Sequence, residues 1–127
     1  MRTRVILVIG AFSALLGCGS SPTYGGGGGG NACTPTATQV CMMNLAFNPS
    51  NLTITHGTTI TWKNGDGVQH QVASAIGSTD TYNSSFIAAG GTYSHTFATA
   101  GTYVYYCTIH GVDGTPPTGM RGTVTVN

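Results

Sequence analysis

The apolar residues of this chain recur at every second position, in short runs cut off by glycine-rich turns. Residues 52–55 read Leu-Thr-Ile-Thr, residues 58–63 read Thr-Thr-Ile-Thr-Trp-Lys, and residues 102–107 read Thr-Tyr-Val-Tyr-Tyr-Cys. Side chains alternate faces along an extended strand, so such runs have one face to bury and one to leave wet. Their β-branched and aromatic residues suit a pleated surface. Asn64-Gly65-Asp66-Gly67 is a turn signal, since these residues accept left-handed backbone or bond their own main chain. Further strands are expected over 40–47, 69–74, 92–97 and 122–126, while 76–88 is polar and irregular, with Tyr82 and Phe86 as its anchors. No stretch sustains a helical period. The pattern implies an all-β sandwich whose core draws on Phe47, Leu52, Ile54, Ile60, Trp62, Val72, Phe86, Phe97, Tyr103, Tyr105, Val124 and Val126.

The first third of the chain carries no such pattern. Met1-Arg2-Thr3-Arg4 is basic, and residues 5–16 are a small-and-apolar run too short to span a bilayer as a helix. Residues 1–17 therefore read as a signal peptide. The end of that run, Leu15-Leu16-Gly17-Cys18, resembles a bacterial lipoprotein cleavage box, with Cys18 as the lipidated first residue of the mature chain. The competing reading is an ordinary signal peptide cut nearby, with Cys18 free. Residues 18–36 include six consecutive glycines, 25–30, which cannot bury apolar surface and read as a flexible tether. One domain, 37–127, remains. Past the signal, Lys63 and Arg121 stand against Asp66, Asp80 and Asp113, so the net charge is about −1. There is no basic patch for nucleic acid and no acidic run to steer a cationic partner. The expected location is the cell envelope, on a lipid anchor facing the periplasm or the cell surface.

Alternation puts Tyr103, Tyr105 and Cys107 on one face, so Cys107 ends an inward row. His110 follows after two residues and Met120 after nine more, while His70 sits upstream beside another strand-like run. Two imidazoles, a thiolate and a thioether are the donor set of a type 1 (blue) copper site. The sulfur donors stabilise Cu(I), and imidazole tolerates both oxidation states. Asp113, or no axial ligand at all, is the alternative to Met120. His56 and His95 read as solvated. Cys33 and Cys41, with seven residues between them, read as a disulfide pinning the first strand. A Cu(I) cluster with Met42 and Met43 is the competing use.

Phe47-Asn48-Pro49, the run 57–66, His70, the run 101–111 and the run 119–126 together resemble a plastocyanin-like cupredoxin, over nearly all of residues 38–127. That resemblance implies a Greek-key β-sandwich or barrel and one copper ion, held by His70, Cys107 and His110 with Met120 as weak axial ligand. It places Thr108 just outside the ligands. Gln71 stands where many members carry Asn, which leaves open whether the family's bond between ligand loops is made here. The interval from His110 to Met120 is longer than in plastocyanin, and Pro116-Pro117 should stiffen it. The resemblance also implies an electron-transfer surface at His110, with Val68, Val112, Pro116 and Pro117 as its apolar surround. Tyr106 matches a tyrosine on a second, remote electron route, or is simply a sheet-surface aromatic.

A multicopper oxidase or a copper nitrite reductase needs further histidines, and this chain has four in all, two of them already assigned. The expectation is therefore not an enzyme but a monomeric one-electron carrier. A haem protein, terminal oxidase or reductase would be its partner. An exported copper carrier or scavenger without electron relay is the rival.

Overall fold

Extended backbone forms where the alternation predicts it. The computed structural model describes residues 31–127; the expected signal peptide, Cys18 and the glycine run lie outside the described residues. The strands are β1 (Gln39–Met43), β2 (Ala46–Asn48), β3 (Asn51–Ile54), β4 (Thr58–Asn64), β5 (Ala73–Ser74), β6 (Thr92–Phe97), β7 (Gly101–Val112) and β8 (Thr118–Val126). They make two four-stranded sheets, ordered β2-β1-β4-β6 and β3-β8-β7-β5. The chain changes sheet at every connection from β2–β3 to β6–β7, which closes the two layers over one core. The described residues form an all-β sandwich, as expected.

Trp62 of the first sheet is fully buried, and its ring lies 5.3 Å from that of Tyr105 on the second. Phe47 meets Tyr105 edge-on at 4.7 Å, and Phe97 meets Tyr103 at 5.1 Å. Edge-to-face and tilted pairs of this kind add about 0.5–1.5 kcal/mol each beyond the area they bury. Tyr103, Tyr105 and Cys107 are all buried and Val104 and Tyr106 are not, so the inward row lies as the alternation predicts.

Four expectations are corrected. The strand expected over 40–47 breaks at Asn44 and Leu45, whose φ of 55° and 57° turns the chain between β1 and β2. Only Ala73 and Ser74 of the expected 69–74 strand join a sheet, because His70 exchanges both backbone hydrogen bonds with Ile87. Phe86 is 65% exposed, and Ile87 takes the inward place beside Tyr82. The domain begins before residue 37: Cys33 is disulfide-bonded to Cys41, and Lys63 Nζ donates to the Ala32 carbonyl at 2.9 Å.

Burial pushes the phenols of Tyr82 and Tyr105 well above the ordinary tyrosine value. The unfolded chain ionises them near pH 10, while the fold keeps them neutral. Stability that is intact below that pH should then fall as pH rises, by about 1.4 kcal/mol per pH unit for each tyrosine. Thermal unfolding followed through the alkaline range should show this loss, and Tyr105→Phe should flatten the slope. An unchanged slope in that variant would contradict it.

Candidate metal centre

The site is made by a mismatch in strand pairing. Between β7 and β8 the register runs regularly to Tyr106 opposite Arg121, then resumes at Gly111 opposite Gly119. Cys107, Thr108, Ile109 and His110 therefore face the single residue Met120. Such a bulge bends the strand and re-aims its side chains. It ends Cys107's inward row and leaves His110 half-buried at the edge of the sandwich. Beyond it, Gly111 pairs with Gly119 and Val112 with Thr118, so much of the long interval before Met120 is a hairpin rather than a loop. Gly119 has φ 75°, and a Cβ there would lie 2.6 Å from the His110 carbonyl oxygen.

The donor atoms of three residues converge at this point. Cys107 Sγ lies 3.7 Å from His70 Nδ1 and 3.6 Å from His110 Nδ1, and the two Nδ1 atoms are 3.1 Å apart. All lie within 4.8 Å of one another, with His70 and Cys107 buried. A soft sulfur and two imidazole nitrogens at this spacing are the donors copper prefers. The set fits one such ion. Met120 is buried opposite the bulge. Asp113 is elsewhere: its Oδ1 accepts the N–H groups of Ile76 and Gly114.

The groups around the donors fix them. Gln71 donates its N–H to Cys107 Sγ at 3.4 Å, and its side chain accepts the Thr108 hydroxyl while donating to the Ser84 carbonyl at 2.7 Å. The bond between ligand loops is thus made by Gln71. Asn64 is buried and donates to the carbonyls of Val68 and Ile87, at 2.8 and 2.9 Å. This holds the loop that carries His70. Asp66 Oδ2 lies 2.8 Å from His70 Nε2. Partial burial alone would raise the Asp66 pKa, but the Leu45 and Asn44 N–H groups and His70 hold its carboxyl below the ordinary range. By sequence alone Asn64 and Asp66 are turn formers. The signal missed was a carboxylate four residues before a ligand histidine.

Other expected residues fall as follows. His56 is exposed. His95 is not simply solvated: it pairs with Asp80 at 2.8 Å and stacks on Tyr82. Val68 and Val112 are exposed, as are Leu45 and Ile109, two apolar residues the sequence reading did not include. Pro117 is buried and cannot form part of a surface. Pro116 is exposed but lines a concavity with Asn51, Val104 and Arg121 on the flank of the second sheet. Asp113, at the tip of the hairpin, accepts the Ile76 N–H and so ties the tip to that segment. Tyr106 is half-buried on the outer face, opposite Ala73 of β5.

The profile of copper binding proteins, plastocyanin/azurin family, matches residues 34–127. Plastocyanin of Scenedesmus fuscus is 38% identical over 94 residues, covering 65% of this chain and 87% of its own. Among solved structures, a Cu(I) mutant of amicyanin superposes with a TM-score of 0.60 at 28% identity, over 70% of this chain and 80% of that one. A purple cupredoxin from Nitrosopumilus maritimus gives 0.58 at 29%, over 71% and 99%.

Gly119→Ala tests the bulge. The left-handed backbone costs a residue with a Cβ about 1–3 kcal/mol, and the clash with the His110 carbonyl must be relieved by parting β7 from β8. Metal-free protein should melt earlier, and metal affinity should drop on the order of tenfold. Unchanged values in calorimetry and metal titration would refute this account of the bulge.

Proposed function

The chain belongs to the plastocyanin/azurin family of copper-binding proteins, and on that premise we propose that it carries single electrons between redox proteins at the cell envelope. The observation that carries this reading is the convergence of two imidazole nitrogens and one cysteine sulfur on a bulge that faces a buried methionine. Copper bound there supplies a one-electron couple. His70, Cys107 and His110 would hold it, and Met120, buried opposite the bulge, would offer it a thioether sulfur.

The chain's own residues make such a couple usable. Ligation requires Cys107 as thiolate and both imidazoles unprotonated at Nδ1, so uptake releases protons. The Gln71 N–H already points at the sulfur, and a hydrogen bond to a charged acceptor is stronger than one to a thiol. Cys107, His110 and Met120 sit on packed strands and His70 on a segment bonded to Ile87, so they need move little when the charge of the site changes. His70 and Cys107 are shut off from water, and half-buried His110 is the way out. Val68, Ile109 and Val112 are exposed apolar residues near that outlet. With almost no net charge to steer it, docking onto a haem protein, terminal oxidase or reductase would rest on such contacts. Export with lipidation at Cys18 would keep the domain, as a monomer, at the membrane where such partners work. Tyr106, on the outer face beside Cys107, is a second exit for the electron.

The reading is tested on protein loaded with Cu(II). A strong visible charge-transfer band should appear, bleach with ascorbate and return on reoxidation with the metal retained. Cys107→Ser should abolish the band, and Met120→Leu should raise the reduction potential. Metal released to an acceptor on reduction would instead identify an exported copper carrier. An unchanged potential in Met120→Leu would remove that residue from the site.

A further inference from the structure

Asp66 does more than shape a turn. Its Oδ1 accepts the Asn44 N–H at 2.7 Å, and its Oδ2 accepts the Leu45 N–H at 3.1 Å and faces His70 Nε2 at 2.8 Å. Asn44 and Leu45 are the two left-handed residues of the β1–β2 turn, and that conformation lets their N–H groups share one carboxylate. A carboxylate oxygen only accepts, so His70 must carry its proton on Nε2. In the neutral ring that copper ligation requires, Nδ1 then has a free lone pair, and Nδ1 is the atom that lies 3.7 Å from Cys107 Sγ and 3.1 Å from His110 Nδ1. The His70 ring is fully buried, so no water competes for these contacts.

We propose that Asp66 is a positioning residue that locks the tautomer and orientation of His70 and, by its charge, lowers the reduction potential of the copper site. The inference rests on the copper-binding reading above. A hydrogen bond to a carboxylate makes an imidazole a more basic ligand. A negative charge beside that ligand favours the more positive Cu(II) over Cu(I). The same carboxylate ties the ring to the turn of the first sheet, while Cys107 and His110 belong to the second. The contact therefore fixes one ligand from the side opposite the other two.

The test compares wild type, Asp66→Asn and Asp66→Ala by potentiometry, Cu(II) titration and thermal unfolding of metal-free protein. Asp66→Asn keeps the size of the side chain but loses its charge and one of its two acceptor oxygens, so it remains informative if Asp66→Ala folds poorly. Both variants should raise the potential by an amount equivalent to about a tenfold change in the ratio of Cu(II) to Cu(I) affinity, about 59 mV for a one-electron couple. Both should weaken Cu(II) binding about 10–100-fold. A lower melting temperature at wild-type potential would reduce Asp66 to a turn cap and overturn the proposal. Failure of the wild type itself to take up copper would overturn the copper reading, and this inference with it.

Discussion

The pairing of β7 with β8 is the constraint on which the rest depends. Along most of its length it is an ordinary antiparallel ladder, and it holds the second sheet together with β3 on one side and β5 on the other. At one point, four residues of one strand are set against one of the other. An uninterrupted ladder would have continued the alternation and sent every second side chain back to the core. The interruption sets Cys107 and His110 on one strand against Met120 on the other, and the pairing that resumes at Gly111 and Gly119 keeps that arrangement from opening. His70 arrives from a different part of the chain, on a segment that abandons the sheet to bond Ile87.

The core gives the bulge something firm to stand on. Trp62 and Tyr105 span the two sheets just beneath Cys107, and Phe47 closes on Tyr105 from the side. Close-packed aromatic rings transmit strain rather than absorb it, so a ligand at the end of such a row has little freedom to wander. Rigidity matters for a metal that changes charge without changing partners. Electron carriers gain speed from sites that do not rearrange.

Much of this was legible in the residues. The alternation of 102–107 placed Cys107 inward, and the order His70, Cys107, His110, Met120 gave the donor chemistry. What could not be read was how polar residues would be spent. Asn64 and Asp66 look like turn formers because turns are where such residues usually serve. That Asn64 is instead buried and bonded to the carbonyls of Val68 and Ile87 depends on contacts across long stretches of chain. The hairpin at 111–119 was hidden for a related reason. Proline and glycine in 114–119 read as loop, yet they occupy only its tip and the points where the strands come closest. Phe86 and Ile87 show the limit of composition: adjacent apolar residues cannot both face inward on an extended chain, and only tertiary packing chooses between them.

The entry of the chain into the domain has a consequence for the site. Residues 31–36 run beside β1, fixed by the Cys33–Cys41 bond and by Lys63. Gly65, in the turn that follows β4, lies so close that a Cβ there would sit 3.3 Å from the Asn31 carbonyl oxygen. That turn leads directly into the segment carrying Asp66 and His70. The chain therefore joins the sandwich at the pole that holds the ligands, not at the far one. Any change at residues 31–33 is thus felt first at the turn that carries Asp66, and through that carboxylate at His70.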